Sequence, residues 1–167
     1  MLGYMPAIAK EIISNRFTNI HFLIGDFNVV VYNSIQSVGW VKTGTGSAIF
    51  SLEDVYINEE IKIIKENGVI VMHNTIGCNI EKDAYNLFTL DTDSGAMDVY
   101  KGALSSKVLT FNNIDSEIKT KNEYGDWYTF KLIYKQISSL ENELIVGCSK
   151  DNGKTWFPFI KNRYLRK

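Results

Sequence analysis

The sequence predicts a mainly β protein, an antiparallel up-and-down meander of about ten strands closed into a barrel, with one N-terminal helix. Three observations lead there. After Asn19, segments rich in Val, Ile, Tyr, Phe and Thr alternate with Gly, Asn and Asp clusters roughly every eight to twelve residues, the rhythm of antiparallel strands. Several connections carry turn chemistry that joins each strand to the next in the opposite sense. No second helical segment follows Phe17, so nothing supplies the right-handed crossovers that a parallel sheet requires. An open sheet of that many strands would expose two edges, and closure removes them.

The elements follow in order. From Met5 to Phe17, Ile8, Ile12 and Ile13 recur at helical spacing, and Pro6 suits a first turn where its missing N–H costs nothing. A single helix of this length is marginal alone, so it is expected to plug the main core. Strands are expected over Gly25 to Tyr32, Gly44 to Leu52, Val55 to Lys65, Val69 to Asn79, Tyr85 to Asp91 and Ala96 to Leu104. Further strands are expected over Lys107 to Phe111, Glu117 to Asn122, Trp127 to Ser138, Glu143 to Cys148 and Trp156 to Leu165. Asn67-Gly68 reads as a two-residue hairpin turn, because both residue types tolerate positive φ. Asp93-Ser94-Gly95 and Asp151-Asn152-Gly153 read as further tight turns.

Composition bounds the partners. The chain has 167 residues, too few for a propeller or a TIM barrel, and reads as one domain: helix and connection over 1–20, barrel over 21–167. Eighteen basic against nineteen acidic side chains, without a Lys/Arg cluster, argue against nucleic acid or an anionic membrane surface as partner. The apolar runs are far shorter than the roughly 20 residues a membrane-spanning helix needs. Cys78 and Cys148 lack a His or Cys at metal-ligand spacing, so they read as buried thiols and no metal site is expected. The N-terminal stretch lacks the basic-then-apolar pattern of a signal peptide, and a cytoplasmic location is expected.

Two motifs read as structural. Ser149-Lys150-Asp151-Asn152-Gly153-Lys154-Thr155-Trp156 matches the S-x-D-x-G-x-T-W pattern of the Asp box, in which Ser and Asp bond turn amides, Gly supplies positive φ and Trp covers the hairpin. Asp151, Gly153 and Trp156 are its key members. In small calycin barrels a Gly-x-aromatic on the first strand is commonly covered by a late arginine. Here Gly25-Asp26-Phe27 and Arg163 are the candidates, the guanidinium stacking on the ring and closing one end. The alternative is that Phe27 is simply core and Arg163 a surface charge.

Together, Ile24-Gly25-Asp26-Phe27, Thr43-Gly44-Thr45-Gly46-Ser47 and Gly153-Lys154-Thr155-Trp156 followed by Arg163 resemble domain-of-unknown-function family 1579, small bacterial proteins with a calycin-like β-barrel. The resemblance covers nearly the whole chain after the helix. It implies a fold and no established reaction, so it carries over no catalytic residue. One departure is Phe27, where calycins usually offer Trp.

Candidate site residues are those whose periodicity can turn them into the barrel. Val55, Ile57, Ile61 and Ile63 share a parity with Glu59, which places Glu59 on the core face. On the next strand Val69, Val71, His73 and Thr75 share one face, and Ile70, Met72, Asn74, Ile76 and Cys78 the other; periodicity alone does not choose between them. If the His73 face is inward, His73 and Glu59 form a hydrogen-bonded pair in a cavity; otherwise His73 faces solvent. Tyr128, Phe130, Leu132 and Tyr134 share a face and form an aromatic wall, with Tyr85 as a further patch of lining. Such a stripe serves either as filled core or as the wall of a pocket. Trp40 falls where a barrel mouth is expected.

Three functions are consistent with this pattern. The first is a non-enzymatic barrel binding a small, largely apolar molecule through Glu59, His73, Tyr85, Tyr128, Phe130 and Tyr134. The second is an enzyme using His73 and Glu59 as an acid/base pair on a small molecule. The third is a structural module that associates, for instance as a homodimer, through an apolar patch or strand edge. No cofactor is expected: the chain has no Gly-rich phosphate loop before a helix, no H-E-x-x-H and no G-x-S-x-G.

Overall fold

The computed structural model describes residues 15–92, 95–117, 120–121 and 127–167. Residues 15–18 are helical and His21–Leu23 form a 3-10 turn; the rest of the expected helix lies outside the described residues. Eleven strands follow: β1 (Gly25–Ile35), β2 (Gly39–Glu53), β3 (Tyr56–Lys65), β4 (Gly68–Asn79), β5 (Ala84–Asp91), β6 (Met97–Ser105), β7 (Val108–Asn112), β8 (Thr120–Lys121), β9 (Trp127–Gln136), β10 (Glu141–Ser149) and β11 (Phe157–Arg166).

Ten of them form a closed antiparallel barrel. Each of β1 to β7 pairs with its successor, β7 pairs with β9, β9 with β10, β10 with β11, and β11 returns to β1. The ring therefore has no free edge. The expected strand from Glu117 to Asn122 is not a stave. Of its described residues Glu117 is a bend and Thr120–Lys121 form the two-residue β8, which lies against Trp127 and Tyr128 while β7 pairs directly with β9. The first two strands are longer than their sequence suggests. β1 runs on to Ile35 and β2 begins at Gly39, with a register shift at Val31/Tyr32 where Thr43 donates its hydroxyl hydrogen to the Asn33 Oδ1. The polar and glycine residues that read as a loop are thus absorbed by a bulged hairpin.

Strand alternation sorts side chains between interior and exterior. Phe27, Val29 and Val31 on β1 and Ile57, Glu59, Ile61 and Ile63 on β3 are buried, and their neighbours are less so. The end bearing the β2–β3, β4–β5 and β9–β10 turns is packed solid. Phe17, Ile20 and Leu23 from the N-terminal segment are buried there in one hydrophobic cluster with Phe27, Phe50, Ile76, Leu87 and Phe111. Phe27, Phe50 and Tyr164 meet edge to face, with centroids 5.6 to 6.0 Å apart.

Arg166 closes this end, in place of the expected Arg163. Its guanidinium sits 4.8 Å from the Phe27 ring centre and donates to the carbonyls of Ile24 and Phe22. Gly25, at φ +134°, leaves room: a Cβ there would lie 2.3 Å from Arg166 Nη1. The register explains the substitution of one arginine for the other. Arg166 is opposite the inward Phe27, whereas Arg163 is opposite Val30 on the outer face. There Arg163 makes a bidentate pair with Glu141, at 2.6 and 2.9 Å, and this holds the Glu141 carboxyl below its usual range.

Between β10 and β11 the connection is tied by its own side chains. Ser149 Oγ accepts from the Gly153 amide at 2.8 Å, and Asp151 accepts from the Thr155 amide at 2.8 Å and its hydroxyl at 2.6 Å. These bonds pull the Asp151 carboxyl down to about 2. Asn152 and Gly153 carry the positive φ, +57° and +85°. Trp156 lies under the Lys131 ammonium, 4.5 Å from its ring centre.

Candidate functional site

The other half of the barrel is not filled. A cavity of about 220 Å³ occupies it, walled by Ile61, Ile63, Ile70, Met72, Leu132, Leu144, Val146 and Ile160 and by the rings of Phe130 and Phe159. A register shift at Val146/Gly147 turns Phe159 toward Phe130, and the two ring centres are 6.1 Å apart. Lys65 also contributes to the lining.

The inner end of the cavity is polar. Glu59 is 2% exposed and carries three hydrogen bonds: Asn74 Nδ2 donates to Oε2 at 2.7 Å, the Tyr134 hydroxyl to Oε2 at 3.4 Å and the Tyr164 hydroxyl to Oε1 at 3.0 Å. Asn162 lies beside Tyr164 on the same inward face of β11. Four strands, β3, β4, β9 and β11, therefore converge on one carboxyl group. Among the described residues no cation pairs with it. Burial outweighs the three donors and pushes Glu59 up to about 7. The same burial, with the nearby carboxylate, drives the Tyr134 and Tyr164 phenols well above their ordinary range. Two acceptors in this cluster are unmatched: the Oδ1 atoms of Asn74 and Asn162 have no hydrogen-bond partner.

Of the expected site residues, Glu59, Phe130 and Tyr134 line the cavity. His73 does not. Glu59 is opposite Asn74 in the β3–β4 register, so Asn74 shares its face, and His73 points outward beside Glu60, with Nδ1 4.0 Å from Oε2. The proposed His73 and Glu59 pair is not formed. Tyr85 is buried at the plugged end, donating its hydroxyl hydrogen to the Arg16 carbonyl at 3.1 Å. Tyr128 lies beyond the cavity wall, against Phe130 on one side and under Lys150 Nζ on the other. Trp40 is on the outer surface, where Lys161 lies over both it and Tyr32.

The residues that sequence reasoning missed are Tyr164, Asn162, Tyr100 and Phe159. Ile160, Asn162, Tyr164 and Arg166 do alternate along the last strand, a signal that the expected role of Arg163 obscured. Cys78 and Cys148 are both free thiols and only partly buried. Among the described residues no group of three His, Cys, Asp or Glu is placed to hold a metal, and no helix is long and apolar enough to cross a membrane.

Fold and site together define a closed antiparallel β-barrel, half core and half cavity. No family model matches the chain, and no curated protein matches it. Among solved structures it is similar to a redesigned β-barrel, at 10% identity and a TM-score of 0.46, covering 88% of this chain and 93% of that one. It is also similar to EF1p2_mFAP2b, solved bound to DFHBI, at 11% identity and a TM-score of 0.47, covering 89% and 97%.

Proposed function

We propose that the protein is a non-enzymatic barrel that binds a small, largely apolar molecule in the half of its interior that its own side chains leave empty. The observation that carries this reading is the cavity of about 220 Å³ between apolar walls. An apolar cavity of roughly 150 Å³ is known to hold a benzene ring, so this one suits a single ring with a short substituent. A packed lower half gives the site a rigid floor, which lowers the entropic cost of holding a ligand. The acid/base reading loses its imidazole, because His73 is on the opposite face from Glu59.

Titration with 2-phenylethanol tests the proposal. Saturable thermal protection is expected, about 2.7 kcal/mol at a hundred times the dissociation constant. The substitution Leu132→Trp, which fills the cavity from β9, is expected to abolish that protection while leaving the barrel folded. Equal protection of both proteins would show binding elsewhere and contradict the assignment.

A second observation favours self-association. Leu90 on β5 and Met97 on β6 are opposed and exposed, Phe88 is exposed two residues before Leu90 on the same face of β5, and the three form an apolar strip outside the barrel. Light scattering of the wild type and of Phe88→Lys tests this: a dimer lost on substitution supports it, and a monomer in both contradicts it.

A further inference from the structure

Resting on the ligand-binding reading, we propose that the molecule taken up carries a protonated nitrogen, as in a small arylalkylamine, and that its ammonium docks on Glu59 at the polar end of the cavity.

A buried carboxylate is expensive unless a cation or enough donors compensate it. Glu59 has three donors, from Asn74, Tyr134 and Tyr164, and no cationic partner among the described residues. The two unmatched polar atoms in the same cluster are also acceptors, Asn74 Oδ1 and Asn162 Oδ1, on residues 6% and 5% exposed that line the cavity. An ammonium offers three N–H donors and no acceptor. It can donate to one carboxylate and two amide oxygens, and it neutralises the buried charge of Glu59. A carboxylate ligand would instead face acceptors and a like charge. The walls above are rings and aliphatic chains, suited to an aromatic body.

The titratable groups facing Glu59 do not undo this. Tyr134 from β9 and Tyr164 from β11 stay protonated far above neutral pH, and so does Tyr100 from β6, which stands near Asp98. Lys65 from β3 is the cationic residue among those lining the cavity, and it forms no ion pair with Glu59. Glu59 is thus the group whose ionisation sets the charge of the polar end. Ammonium affinity should therefore rise with pH as Glu59 ionises and level off above neutrality.

The test compares 2-phenylethylamine, 2-phenylethanol and 3-phenylpropanoate by calorimetry on the full chain and on Glu59→Gln, at pH 5.5 and pH 8. For the wild type at pH 8 the amine is expected to bind more tightly than the alcohol by about tenfold or more, and the carboxylate not at all. The Glu59→Gln protein should lose that preference and bind amine and alcohol about equally, and its cooperative thermal unfolding shows that it is folded. At pH 5.5 the wild-type preference should shrink. If the alcohol binds and the amine does not, or if the preference survives Glu59→Gln, the ammonium inference is overturned and the apolar cavity reading stands. If neither amine nor alcohol binds, the cavity reading itself fails.

Discussion

At the residue scale the consequential side chain is Glu59. Its folded-state carboxyl titrates at about 7 against an ordinary value of 4.5. As pH rises between those values, the unfolded chain gives up this proton first, so ionisation favours unfolding. Stability is thus expected to fall by about 3 kcal/mol from pH 4.5 to pH 8 and then to flatten, the sign opposite to that of a salt-bridged carboxylate. Urea titrations across this range should show the decline in the wild type and none in Glu59→Gln. A flat wild-type profile would mean that the carboxyl is solvated or paired. Arg166 and Arg163 offer a second contrast. Arg166→Ala removes a stacked guanidinium and its bonds to two carbonyls, and roughly 2 kcal/mol should be lost. Arg163→Ala removes a surface pair and should cost less than about 1 kcal/mol. The reverse ranking in denaturant midpoints would contradict the assigned closure.

At the scale of strands, what was legible in the sequence depended on how each pair is connected. The β3–β4 hairpin turns on residues 66 and 67, with Lys65 opposite Gly68, one position before the Asn67-Gly68 turn expected from residue type. Only Gly68 of those two residues adopts positive φ, +143°. That slip leaves parity unchanged. In any two-residue hairpin, opposed residues differ in parity, so odd-numbered Glu59 must share its face with even-numbered Asn74. The exclusion of His73 was therefore implicit in the chain. No such arithmetic links β1 to β11, which meet only when the barrel closes. The choice of Arg166 over Arg163 depends on that distant register and could not be read from spacing. Close strand approach makes a further prediction. A Cβ at Gly46 on β2 would lie 1.9 Å from the Lys62 carbonyl oxygen, whereas one at Gly77 meets nothing within 4 Å. Gly46→Ala should cost about 2 kcal/mol or more in thermal unfolding, and Gly77→Ala close to nothing.

For the whole molecule, strand count and an internal plug divide the labour. About eight strands give an interior that side chains nearly fill, so ten leave space unless something enters. Phe17, Ile20 and Leu23 enter from one end and fill that half; the other keeps its cavity. The sequence showed the meander and its strand number, because alternation and turn residues recur locally. It did not show how far the plug reaches, because that depends on contacts between segments far apart in the chain. The central claim is that division of one barrel into a packed half and a receptive half. Methyl NMR during titration with 2-phenylethanol tests it most directly. Resonances of Ile61, Ile63, Leu132, Leu144 and Val146 should shift in a saturable way, while those of Ile20, Leu23 and Leu109 stay fixed. Shifts distributed equally over both groups, or absent from the first, would contradict it.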